Sequence, residues 1–193
     1  MALRLGPLRI PWPGKAHADD PYWAHFVNAP PADVANSVIE MIRKAPDGNI
    51  FPTKTELHTP EITSSHVKEL AVYCGADLVG IARLVADPDG YPFGIVTAVR
   101  ADEDPREARG VGGQVPAQNE LYVTFVMSAW VRELGFRATD DRAAAPDLEA
   151  ERLAAQAGLG KLNAAGHLVT PKFGTRVHVG NVIRTDLPLA ADG

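Results

Sequence analysis

A single cysteine, Cys74, stands in a chain of 193 residues. An internal disulfide is excluded, and so is an iron–sulfur cluster held by these residues alone, which needs about four thiolates. Concentrated positive charge is missing too. Nineteen Lys and Arg against 24 Asp and Glu give a formal charge of −5 and a pI near 5.6. Without a basic cluster a nucleic-acid partner is not expected, because affinity for a phosphate backbone rests on gathered cations. The apolar stretch at residues 3–10 is broken by Arg4, Gly6, Pro7 and Arg9, and suits neither a signal peptide nor a membrane span. The expectation is a soluble, cytoplasmic protein with no membrane partner. Internal repeats and low-complexity tracts are absent as well.

Turn formers are plentiful instead, with 17 glycines and 16 prolines. Residues 1–30 carry prolines, Trp12 and Trp23 without a sustained period, and read as an extended N-terminal arm. Residues 31–193 suffice for a single domain with a proper core. Its first helix is expected over 31–44, with Val34, Val38, Met41 and Ile42 as one apolar stripe. A second starts at Thr59-Pro60-Glu61, where Thr caps, Pro fits the first turn and Glu meets the positive dipole end. It ends at Gly75, with Ile62, His66, Leu70 and Tyr73/Cys74 on one face and His66 half-buried.

Strands are expected at 78–84 and 95–100, joined through Asp87-Pro88-Asp89-Gly90. The polar stretch 101–118 reads as a long loop, leading to an all-round apolar helix at 119–134 that is central or at a subunit interface. Residues 136–139 supply a third strand, and 146–156 a last helix. A hairpin then runs from 167–170 to 175–184 around Pro171-Lys172-Phe173-Gly174. The resulting fold class is α+β with a mainly antiparallel sheet flanked by helices.

Among candidate sites, Gly158-Leu159-Gly160-Lys161 fails as a dinucleotide fingerprint, since Asn163 stands where glycine is needed, and fails as a phosphate loop, since Leu162 follows the lysine. Taken alone it is a helix end followed by a tight turn. His17, Asp19, Asp20 and His25 match no zinc spacing and read as solvated polar residues. Cys74, at a helix end, reads as a small buried hydrophobe.

The wider run AGLGKLNAAGHLVTPKFG at 157–174, followed by TDLPL at 185–189, resembles a segment of corrinoid-dependent reductive dehalogenases and epoxyqueuosine reductases, A-G-L-G-x-x-G-x-x-x-L-x-T-P-x-F-G with a terminal T-D-L-P-L. HVKELAVYCGADLVGIARL at 66–84 and WVRELGFRAT at 130–139 resemble further parts of the same family. The resemblance covers about the last two-thirds of the chain. Lys161 and Ala164-Ala165 replace a glutamate and an arginine of the family pattern, and its ferredoxin-like cysteine clusters are absent from these residues.

The resemblance implies a nitroreductase-like core holding cobalamin against backbone and small side chains. Gly158, Leu159, Gly160, Asn163, Gly166, His167, Thr170 and Arg176 would be the cofactor-binding residues, and His167 would serve as a lower corrinoid ligand or as a flavin or propionamide contact. Tyr122 would be the proton donor, with Lys161 or Arg176 as the cation beside it. In epoxyqueuosine reductases an acid lies in the interval that here holds Asp140, Asp141 and Asp147. The implied function is reduction of a small organic substrate with electrons from a separate iron–sulfur or flavin protein, in a homodimer. Two alternatives are a non-catalytic carrier or assembly subunit and an FMN-dependent nitroreductase-like enzyme.

Overall fold

The computed structural model describes Pro21 and residues 38–108, 110–142 and 148–193. The arm with Trp12 and Trp23, the set His17, Asp19, Asp20 and His25, and Asp147 lie outside the described residues. Among those described, the helices are α1 (Val38–Lys44), α2 (Pro60–Cys74), α3 (Val111–Glu133) and α4 (Leu148–Gln156). The strands are β1 (Leu78–Arg83), β2 (Phe93–Arg100), β3 (Ala138–Thr139), β4 (Lys161–Leu162), β5 (Leu168–Val169), β6 (Val177–Val179) and β7 (Ile183–Thr185).

β2 is the centre of an antiparallel sheet. β1 pairs along one edge, with Leu78 opposite Ala98 and Arg83 opposite Phe93. The expected turn between them is pinned by Asp87, whose Oδ1 accepts from the N–H groups of Asp89 and Tyr91. The other edge of β2 is shared. β6 pairs with its second half and β7 with its first, and β3 then adds to β7. Between the pairs Ala98–Val179 and Ile95–Ile183, β2 has two residues and the facing chain has three. This one-residue excess is a β-bulge at Gly180, Asn181 and Val182.

Alternation along β2 divides the molecule into layers. Phe93 and Ile95, with Ile81 and Ile183, pack under α2 and α3 in a core that includes Val67, Ala71, Val123, Met127 and Val131. Val96 and Ala98, with Ala82, Val177 and Val179, pack under α4 and the β4–β5 hairpin in a second core. α1 buries Ile39 and packs on α3.

Several expectations are corrected. The stretch 101–118 is not a loop throughout, because α3 already begins at Val111 and contains Pro116. Gly113 permits the close approach, since a β-carbon there would lie 2.1 Å from the Ala108 carbonyl oxygen, and Pro116 is itself buried. The hairpin expected between 167–170 and 175–184 does not form. β5 turns back on β4, the Thr170–Gly174 bridge closes the turn, and the next segment crosses to β2 as β6 and β7.

α2 is rotated from its expected face. Thr63, Ser64, Val67 and Ala71 are buried, while Ile62, His66 and Tyr73 are exposed. Small side chains let the helix approach closely, and the Ser64 hydroxyl accepts from the Ala190 N–H at 2.8 Å. On α1, Val38 and Met41 are exposed and Ile39 is the buried residue. The Thr59 cap and the Gly75 stop, with φ +122°, are as expected. None of the described helices is long and apolar enough to cross a membrane.

Candidate functional site

The residues singled out at 158–170 form one unit beside α4 in the layer over the second core. Gly158, at φ +76°, ends the helix, and Leu159 packs into the core under it. Gly160 is where the chain passes against β5: a β-carbon there would lie 2.4 Å from the Val169 carbonyl oxygen. β4 and β5 are then joined by a turn closed by Asn163. Its Oδ1 accepts from the N–H groups of Ala165 at 2.9 Å and His167 at 3.0 Å, and its own N–H donates to the His167 carbonyl. Asn163 therefore caps a turn, and Gly166 takes the left-handed position within it, at φ +85°.

Thr170 is buried; its hydroxyl donates to the Gly174 carbonyl and accepts from the Phe173 N–H. Arg176 is exposed just before β6, with a long 3.5 Å contact from Nη1 to the Asp102 carbonyl. Two glycines leave main chain bare: no heavy atom lies within 4 Å of where a β-carbon would stand on Gly158 or Gly174. Leu162, on the same hairpin, is 40% exposed.

The hairpin is anchored by Glu151 of α4. Its carboxylate takes the Leu168 N–H, both oxygens accept from Arg106 Nη2 at 3.1 Å, and Oε1 lies 3.1 Å from His167 Nδ1. Arg106 is held in turn by Asp104 and the Thr175 carbonyl. Nothing in the sequence pattern singled out Glu151. Only the folding-back of β5 shows it as an anchor.

Tyr122 and Lys161 are not brought together. Tyr122 is 51% exposed on α3, in the layer over Phe93 and Ile95, whereas Lys161 belongs to the hairpin over Val96 and Ala98. The sheet separates the two layers. Both side chains face solvent, and neither has an ion pair among the described residues.

One buried acid escaped the sequence reading. Glu120, on the sheet-facing side of α3, is fully buried; Thr97 donates to its Oε1 at 2.8 Å and Thr124 donates to the same oxygen. Burial pushes its carboxyl up to about 7, against the lowering effect of the two hydroxyls, and the nearby Asp140 raises it further. Glu120 was the only acid within an otherwise apolar helix segment before Glu133, and that isolation was the available signal. Asp140, at the end of β3, accepts from Arg142 Nε at 2.8 Å and from Ser128 Oγ at 2.7 Å. Arg142 also reaches Asp47 and the Ala45 carbonyl, and its guanidinium stacks over Phe125.

A cleft of about 800 Å³ opens along α4, from Glu149 to Gln156. Leu84, Leu153 and Val182 give it apolar floor, and Arg83, Arg152, Arg184, Asp87 and Asp141 give it charge. Arg184 is clamped between Asp141 and Asp87. Neither Tyr122 nor any residue of the β4–β5 hairpin lines this cleft. The Thr185-Asp186-Leu187-Pro188-Leu189 run is a clasp: Thr185 donates to the Arg137 carbonyl, Asp186 pairs with Arg137, and Leu187 and Leu189 are buried.

The fold built from these elements is found in solved reductive dehalogenases. A reductive dehalogenase whose structure bears on B12-dependent dehalogenation matches with a TM-score of 0.67 and 28% identity, over 82% of this chain and 24% of that one. An N-terminally tagged catabolic reductive dehalogenase matches with a TM-score of 0.63, again at 28% identity, over 82% of this chain and 24% of its own. The same enzyme in complex with 3-bromo-4-hydroxybenzoic acid matches over 80% of this chain, with a TM-score of 0.63, 28% identity and 24% of its own length covered. No family model matches the sequence, and no curated protein matches it. The fold is reductive-dehalogenase-like, α+β with an antiparallel sheet. The chain spans about a quarter of the length of these proteins.

Proposed function

We propose that this chain is the corrinoid-binding domain, with a nitroreductase-like core, of a reductive-dehalogenase-like oxidoreductase acting on a small organic substrate. The observation that carries the reading is the likeness to a B12-dependent protein at 28% identity over 82% of the chain. Local geometry supports it. A macrocycle needs close approach to bare main chain over a broad face, and Gly158, Gly174 and the half-exposed Leu162 offer bare main chain and apolar surface on one unit.

Bound there, a corrinoid would supply a cobalt centre able to accept and pass on electrons. The residues of this chain do the binding: Gly158 and Gly174 leave room at the main chain, and Asn163, Gly166 and Thr170 fix the hairpin that carries His167. Arg176 is an exposed cation at the end of the same segment. With one cysteine, these residues cannot complete a four-thiolate cluster. Electron supply is assigned to an iron–sulfur or flavin group that lies outside these residues. Val115 and Tyr122, seven residues apart on one exposed side of α3, are the surface we assign to a homodimer contact.

The separation of Tyr122 from Lys161 favours a second reading, a corrinoid carrier or assembly subunit without its own proton donor. One experiment addresses both. The purified protein is mixed with hydroxocobalamin at micromolar concentration and passed through gel filtration, and its visible spectrum is followed under reduction. Co-eluting corrinoid is expected. Its absence removes the cofactor reading, and retention without turnover beside a supplied reductase selects the carrier.

A further inference from the structure

We propose that the cleft along α4 binds a small organic monoanion, a single carboxylate on an apolar body, with Arg83 as its cationic contact. The cleft shares no lining residue with the β4–β5 hairpin, and the proposal stands independently of the corrinoid reading. Its floor depends on one glycine. A β-carbon on Gly94 would lie 2.8 Å from Val182 Cγ1 and 3.2 Å from Leu84 Cδ2, so the bare main chain of β2 allows these two apolar side chains to close over it. Leu153, almost wholly buried, adds to the floor from α4. A volume of about 800 Å³ over such a floor suits a compact organic molecule.

Backbone features converge on the same place. Among the described residues, positive φ outside glycine occurs at Ala86 (+61°) and Asp141 (+45°), and both line the cleft. That conformation is costly for alanine above all, and such strain gathers at ligand clamps. Asn181 and Val182, from the bulge between β6 and β7, line the cleft as well. Bulges recur beside binding sites because they re-aim side chains.

The charge of the ligand follows from which ionic groups are already matched. Each acid lining the cleft has an arginine: Asp140 has Arg142, Asp141 and Asp87 share Arg184, and Glu149 has Arg152. Arg83 has no ion pair among the described residues. Its guanidinium carbon lies 5.0 Å from the centre of the Phe93 ring, and its carbonyl accepts from Gln156 Nε2 at 3.1 Å, which ties its main chain to α4. One cation without a carboxylate, beside an apolar floor, matches one carboxylate on a hydrocarbon frame.

Three probes of one shape test the assignment: 2-naphthoate, the neutral 2-naphthamide and the cationic 2-naphthylmethylamine. Each is titrated into the full chain without corrinoid and followed by calorimetry and by backbone amide NMR shifts. Naphthoate is expected to bind about tenfold more tightly than naphthamide, with shifts centred on Leu84, Leu153 and Val182. Arg83 is exposed, so Arg83→Gln should spare the fold, reduce naphthoate binding to the naphthamide level and leave naphthamide binding unchanged. Equal binding of acid and amide, preference for the amine, or naphthoate binding untouched in Arg83→Gln overturns the monoanion assignment. Shifts centred elsewhere, or no naphthoate binding at millimolar concentration, overturn the site. Hydroxocobalamin retention is measured separately, so failure of either reading leaves the other standing.

Discussion

The carboxyl group of Glu120 occupies the volume that a side chain at position 180 would take. A β-carbon on Gly180 would lie 1.4 Å from Glu120 Cδ and 1.6 and 1.7 Å from its two oxygens. The helix layer and the bulge between β6 and β7 are thus fitted to each other at one point. Gly180→Ala should destabilise the protein by about 2–4 kcal/mol, because the methyl group must displace a buried carboxyl or open the sheet. Combined with Glu120→Ala, which vacates that space, the loss should be smaller than the sum of the single losses. A double-mutant cycle in urea reads this coupling, and strict additivity would show that the contact does not matter.

Glu120 also sets a pH dependence, opposed by His178. The folded Glu120 carboxyl is raised from 4.5 to about 7, so its proton is held by the folded chain and released by the unfolded one. Its contribution is full below pH 4.5 and lost as pH rises through 7, in total about 3 kcal/mol. His178 is lowered from 6.5 to about 4 by burial first and then by Arg106 and Arg43, against Glu151. Its contribution is full above pH 6.5 and lost as pH falls through 4. Between pH 4.5 and 6.5 the two slopes cancel, and stability should be nearly flat. Glu120→Gln should expose the His178 slope, with stability falling toward acid, and should be the more stable protein at pH 8. Urea midpoints across pH 4–8 check both points.

Arg142 and Asp140 are a buried pair, 4% and 1% exposed. Removing the cation alone with Arg142→Met strands the carboxylate and should cost about 3–5 kcal/mol. Arg142→Met with Asp140→Asn should recover part of that loss, which thermal or urea unfolding would register.

Two glycines of the hairpin unit should separate stability from binding. Gly160→Ala forces a methyl onto the Val169 carbonyl, and should lower stability by about 2 kcal/mol or more. Gly158→Ala meets no atom but places alanine at φ +76°, costing about 1 kcal/mol. If a corrinoid lies over this main chain, Gly158→Ala should weaken corrinoid retention beyond its small effect on folding. Unchanged retention would move the ring away from Gly158.

Local signals determined a good part of this molecule. Thr59-Pro60 starts a helix and Gly75 stops it because cap geometry involves only neighbouring residues. The turn at Asp87 and the strand at 136–139, observed as Ala138–Thr139, were legible for the same reason. The run at 157–174 pointed to a compact turn-rich unit, and the structure has one.

Tertiary packing decided the rest. The same apolar and polar letters left α2 free to present either of two adjacent faces, and the close approach of Ser64 to Ala190 chose one. Pro116 and the paired glycines before it read as loop until burial against neighbouring chain made them the first turns of α3. Partners far apart in sequence cannot be inferred from spacing, so Glu120 with Gly180, Arg142 with Asp47, and Glu151 with His167 emerged only from the fold. The same holds for Tyr122 and Lys161: sequence placed both in one family pattern, but a β-strand directs alternate side chains to opposite layers, and the sheet keeps those two apart.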